Sequence, residues 1–125
     1  MQWEFKVNKN QKYLEVITSG VADNDSSLLM AKAISGKMRK LKISKVLIDH
    51  RNLEAVEGKT FEVYERPKIL RILGLLLNIR IAEVINPRHY EHFSFLETVT
   101  TNQGFKFSVF LETGKALEWL CIKQD

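Results

Sequence analysis

Glycine is sparse in this 125-residue chain: there are six, and no two are closer than ten positions. That spacing excludes both the dinucleotide fingerprint and the phosphate loop, whose glycines must crowd together so that backbone amides reach a phosphate. Cysteine occurs once, as Cys121, so no internal disulfide can form, which agrees with a reducing compartment. A free thiol in the last helix reads as a small buried hydrophobe rather than a nucleophile. Long apolar runs are missing too. The longest stretches without Asp, Glu, Lys or Arg are eight residues, against the ~20 a spanning helix needs, so no membrane span is expected. Met1 to Lys6 lack the basic start and apolar core of a secretory signal, which makes a cytoplasmic location the expectation. Neither internal repeats nor low-complexity segments are evident.

What is present is the balance of a soluble globular protein, 45% hydrophobic and 27% charged. The length fits one domain over residues 1–125, with a core burying roughly two-thirds of the surface of the unfolded chain. The net charge is +4, and its one local source is Lys37, Arg39, Lys40, Lys42 and Lys45, a run without an acid. Cations at a helix carboxyl end interact well with its dipole. With no aromatic interleaved, the run reads as a solvated helix end and not as a nucleic-acid footprint.

The stretch Lys45 to Arg51, KVLIDHR, organises the rest. Val46, Leu47 and Ile48 form an apolar run too short for a helix, as expected of a strand covered on both faces. Before it, Gln2 to Val7 and Lys12 to Val21 read as a hairpin turning at Asn8 to Gln11, with the alternating first strand at the sheet edge. Asp23 to Ser26 offer caps for a helix reaching about Leu41, with Met30, Ala33, Ile34, Met38 and Leu41 on its apolar face. Leu53 to Thr60 reads as a loop. A helix from about Thr60 carries Phe61, Tyr64, Ile69, Leu70 and Leu73, and Pro67 must kink or split it. Of Leu75, Leu76 and Leu77, at least one is expected to be exposed. Asn78 to Ile85 is the next strand, and Asn86-Pro87 starts a helix carrying Tyr90, Phe93, Leu96 and Val99 to Gly104. Phe105 to Leu111 is the last strand. Thr113 caps a final helix packed through Ala116, Leu117, Trp119 and Leu120. The order ββαβαβαβα predicts an α/β fold, a mostly parallel five-stranded sheet with an antiparallel amino-terminal edge strand and about four helices.

No catalytic constellation converges. Asp49, His50 and Arg51 bring carboxylate, imidazole and guanidinium to one strand end, but successive side chains point to opposite faces. His89 and His92 could share a helix face, yet zinc needs a third protein ligand, so neither a metal nor another cofactor is expected. Glu97 and Asn102 on one helix read as loop-holding groups.

The hairpin ending ITSGV, the strands VLIDHR and RIAEVI, the segment FLETVTTNQG and the close FSVFLETGKALEWL occur in the order and spacing of the small stand-alone SpoIIAA-like, or STAS-like, proteins. The resemblance covers almost the whole chain and is most specific from Phe95 to Leu120. It implies a helix-wrapped sheet used for binding and signalling and not for enzyme chemistry. In anti-sigma-factor antagonists of this kind, a serine two residues after an aspartate is phosphorylated. Here Arg51 follows Asp49 at that place and cannot accept phosphate, and the role is not transferred to Thr60, the nearest hydroxyl downstream.

The expected function is therefore a non-enzymatic STAS-like regulatory module. It would present Asp49, Arg51, Asn52, the loop to Thr60 and the Asn86 to His89 helix start to a protein partner, with a homodimer left open. The alternative is a carrier or sensor of a small apolar or amphipathic ligand, held near Tyr64, Leu75 to Leu77 and the Pro67 helix.

Overall fold

A computed structural model describes residues 1–121. Strand β1 (Gln2–Asn8) turns back antiparallel onto β2 (Tyr13–Ala22), pairing Phe5 with Val16. Helix α1 (Asn24–Leu41) leads to β3 (Lys45–Val56), α2 (Thr60–Ile72) to β4 (Arg80–Val84), and a 3-10 turn (Pro87–His89) with α3 (Tyr90–Asn102) to β5 (Lys106–Phe110). Helix α4 (Thr113–Leu120) follows. Spatial and sequence order coincide, β1-β2-β3-β4-β5, and all pairs after the first are parallel. KVLIDHR thus begins the central strand, as its unbroken apolar run requires.

Because each parallel crossover steps to the next strand in the same direction, α1, α2 and α3 all land on one face. There Leu14, Val16, Val46, Ile48, Ile81 and Phe107 meet Met30, Ile34, Met38, Val63, Leu70, Phe93 and Val99 in the main core. Among the described residues the opposite face is covered by α4, where Ala116 and Leu120 pack on Tyr13, Leu47, Ala82 and Val84.

Local chemistry accounts for the boundaries. Asp23 caps α1, its carboxylate accepting from the Ser26 amide at 2.7 Å, with Ser26 Oγ accepting the Asp23 amide in return. Arg39 and Lys40 fill the last turn, and Lys42 closes it in the left-handed conformation. The Glu62 carboxylate accepts from the Lys59 amide before α2. Asn86 Oδ1 accepts from the Arg88 amide, so the Asn-Pro start is a 3-10 turn before α3 proper. Gly104, at φ +90°, ends α3 where a Cβ would be strained.

Several expectations are corrected. Residues Leu53 to Val56 are not loop but strand, because β3 keeps pairing with β2 through Ala22–Val56 after two register shifts that each give β3 an extra residue. Gly20, at φ +84°, sits at the second shift. Leu53 is consequently buried and leaves the candidate surface. On α1 the buried face runs through Ala31 and Ser35, whereas Ala33 is half-buried and Leu41 exposed. Helix α2 is one helix through Pro67, and it buries Val63, Pro67 and Leu70 at helical spacing. Phe61, Tyr64, Ile69 and Leu73 lie exposed, Phe61 by 72%. Of the three leucines, Leu76 is buried and Leu77 exposed, and the Leu76 amide donates to Ser35 Oγ of α1. Tyr90 is exposed. Thr113 is the first residue of α4 and does not cap it; Glu112 holds the cap position.

Candidate functional site

The interior polar cluster grows from three adjacent strands. Ile48 pairs with Glu83 across β3 and β4, so Glu83 and His50 share the face beneath α2 and α3, and the register shift at Thr18 brings its hydroxyl alongside. All three side chains are buried. Thr18 Oγ1 lies 2.7 Å from His50 Nδ1 and 3.2 Å from the Asp49 carbonyl, and His50 Nε2 lies 3.3 Å from Glu83 Oε2. The hydroxyl has a single proton. When it donates to the Asp49 carbonyl, Nδ1 must donate to Oγ1. Phe93 stacks on the imidazole at 5.1 Å, and the His92 ring meets Phe93 edge-on.

This cluster forms one end of a cavity of about 70 Å³ between the sheet and the three helices. Met30, Ile34, Pro67, Leu70, Ile81 and Phe107 are among its apolar walls, and Arg66 and His92 reach it beside His50 and Glu83. Burial lowers the pKa of the Arg66 guanidinium, opposed by the Glu83 and Glu62 carboxylates. Arg66 Nε donates to Asn24 Oδ1 at 3.3 Å. Burial likewise lowers the pKa of His92, and the nearby Arg66 charge adds to it.

On the other face of β3, Asp49 and Arg51 are two residues apart and therefore side by side. Arg51 Nε and its backbone amide both donate to Asp49 Oδ1 at 3.0 Å, and Nη2 donates to Oδ2 at 2.8 Å. Burial pushes the Asp49 carboxyl up, but the hydrogen bonds and charge of Arg51 outweigh it and hold the pKa below the usual value. Arg51 keeps half of its side chain in solvent, and Asn52 beside it is exposed. The pair sits where β4 stops, since Asp49–Val84 is the last β3–β4 register pair. Arg88 ties the 3-10 turn to this overhang by donating to the Leu53 carbonyl at 2.8 Å, and its Nε donates to His89 Nε2.

The residues singled out by sequence thus separate. Asp49, Arg51 and Asn52 share the overhang, and Asn86 caps the adjoining turn. Thr60 and His89 line an open groove with Val63, Tyr90, His92 and Phe95. Tyr64 lies outside both that groove and the cavity, on the outer side of α2 with the Lys68 ammonium 4.7 Å from its ring centre. Among the described residues no group of three or more His, Cys, Asp or Glu could hold a metal ion. Glu97 clamps β5, accepting from the Val109 amide at 2.6 Å. Cys121 is half-buried against the α4 core.

Sequence reasoning missed Glu83, Thr18 and Arg66. The available signal was Glu83 itself, a lone acid among Ile81, Ala82, Val84 and Ile85 in a strand bordered by others. No helix among the described residues is long and apolar enough to cross a membrane.

No protein-family model matches the chain, and no curated protein does. Solved structures do. A DUF3478-family protein with a SpoIIAA-like fold from Shewanella loihica PV-4 is 18% identical with a TM-score of 0.60, over 96% of this chain and 93% of that one. An anti-sigma factor antagonist from Mycobacterium paratuberculosis gives 17% and 0.59, over 95% and 94%. The anti-sigma factor antagonist SpoIIAA in its unphosphorylated form gives 12% and 0.52, over 94% and 96%. With five strands in sequential order, an antiparallel first pair and helices after each parallel strand, the chain has the SpoIIAA-like, or STAS-like, α/β fold.

Proposed function

We infer that the protein is a regulatory module that works by binding another protein through the β3 overhang, without covalent chemistry. The observation that carries this reading is the doubly hydrogen-bonded Asp49–Arg51 pair. Asp49 fixes the guanidinium in place, so the entropy of ordering a long side chain is largely spent before a partner arrives. The donors of Arg51 not used by Asp49 can then meet a carboxylate or a backbone carbonyl, and arginine is among the residues that anchor interfaces. Asn52 and the Asn86 to His89 turn, tied to the overhang through Arg88, extend the surface. Two of the structural neighbours are anti-sigma factor antagonists, which supports a protein partner for this chain as well. Arg51 stands where the family resemblance implies a phosphorylatable serine, so we infer regulation by a fixed cation in place of a phosphate switch.

Photo-crosslinking tests this reading. A crosslinker at Asn52 should capture a protein partner from the native cell, and Arg51→Glu should lower that capture at least tenfold. A crosslinker at Gln11, in the hairpin turn at the opposite end of the sheet, should capture nothing. Capture from Gln11 but not from Asn52 would overturn the assignment.

A further inference from the structure

Glu83 is 95% buried, and its two oxygens are unequal. Oε2 faces His50 Nε2 at 3.3 Å, whereas Oε1 is fully enclosed and has no hydrogen-bond partner among the described residues. Buried acceptors left unmade are costly, on the order of 1–3 kcal/mol and more for a charged group, and native proteins rarely tolerate them without a use. The carboxylate belongs to the lining of the cavity under α2, whose other walls are mostly apolar. An unpaired acceptor in a mostly apolar chamber is the arrangement that selects a ligand by one polar group and fills the rest with hydrocarbon.

We propose that this cavity is a binding site for a small neutral molecule with an apolar body and one hydroxyl group, which donates its hydrogen bond to the Glu83 carboxylate, a turn of the side chain uncovering Oε1 as the ligand enters. Charge decides against the alternatives. A carboxylate ligand has no proton to give and would face Glu83 directly. An ammonium would have to enter beside Arg66, which also lines the chamber. A hydroxyl donates to Glu83 and can accept from a neighbouring donor. Size sets a further limit: at about 70 Å³ the cavity is roughly half the ~150 Å³ of one that takes benzene, so the occupant has about three to five non-hydrogen atoms. The site is separate from the Asp49–Arg51 surface, because Glu83 and His50 lie on the inner face of the sheet and Arg51 on the outer.

The test compares 2-propanol with acetone, which match in heavy-atom count and shape but differ in the donor. Titrations of the intact protein are read from the methyl resonances of Ile34, Ile48 and Ile81 on the cavity wall, with Leu120 on the opposite face as control. Saturable shifts confined to the wall are expected for 2-propanol, with acetone binding at least fivefold more weakly. Glu83→Met, which keeps the length of the side chain and removes both acceptor oxygens, should erase that preference, and Ala31→Leu, which fills the chamber from α1, should abolish wall shifts for both. Should Glu83→Met fail to fold, the alcohol-to-ketone ratio in the unaltered protein and the Ala31→Leu result still decide. Equal affinity for the two probes, absence of saturation, or shifts that persist in Ala31→Leu would overturn the proposal.

Discussion

The Arg80 guanidinium lies 4.0 Å from the centre of the Trp119 ring and donates two hydrogen bonds, at 2.7 and 3.0 Å, to the Trp119 carbonyl. This fastens the end of α4 to the first residue of β4, on the face that α4 covers. Arg80→Met keeps much of the apolar stem and removes these bonds, and it should cost about 1–3 kcal/mol in urea unfolding. In a Trp3→Phe background, the emission of Trp119 should also shift to the red as the ring loosens. Unchanged emission would mean that the hydrophobic contacts of Ala116 and Leu120 suffice to hold the helix.

Glu97 does the equivalent on the other face, bonding the Val109 amide from α3. Glu97→Ala leaves that amide without its charged acceptor, and a loss of about 1.5–3 kcal/mol is expected. Hydrogen exchange at Val109 should accelerate more than at Ile81, which lies one strand further in.

The main core should respond by position and not by residue type. Ile34 is fully buried, so Ile34→Ala should cost about 2–5 kcal/mol. Ile72 is 84% exposed on α2, and Ile72→Ala should stay within about 0.5 kcal/mol. Similar losses at both positions would contradict the assigned face of α2.

These contrasts mark what the sequence made legible. The strand and helix order could be read because hydrophobic clusters alternate with capping and turn residues, and the central strand because Val46 to Ile48 admits no wet face. The buried side of α2 was not legible because apolar residues surround that helix: Phe61, Tyr64, Ile69 and Leu73 outnumber Val63, Pro67 and Leu70, and only the packing against α1 and α3 decides between them. The extension of β3 to Val56 depends on pairing with β2 more than 30 residues away, which no local pattern reports. Glu83 stood out locally as a lone acid in an apolar strand, but its partner His50 comes from another strand, so its role was not legible.

His92 gives the protein an acid-sensitive limb. Its folded pKa is lowered, so the unfolded chain takes up the proton first as pH falls. Stability from this group is therefore complete above the ordinary histidine value of about 6.5 and declines as pH drops through it toward the folded value. His92→Gln should flatten the stability profile in that window, measured by denaturant unfolding at stepped pH. An unchanged slope would assign the limb to other groups.

Removing Arg51 should alter Asp49 more than it alters the fold. Without the guanidinium, burial is opposed mainly by the residue 51 backbone amide, which still donates to Oδ1, so the Asp49 pKa should rise in a carbon-detected titration of Arg51→Ala. In the unaltered protein the Asp49 contribution is present above about 3.8 and fades as pH falls through the lower folded value. Because Arg51 is half-exposed, the stability change near neutral pH should be under about 1 kcal/mol.

Strand β3 sends Ile48 and His50 inward and Asp49 and Arg51 outward, so one short peptide furnishes two chemically unrelated compartments. Each can vary without disturbing the other, provided the count of residues stays fixed. Inserting or deleting a single residue before Asp49 would exchange the tenants, thrusting a guanidinium into hydrocarbon and the imidazole into water. Relatives of this chain should therefore tolerate changes of letter in this strand far better than changes of length.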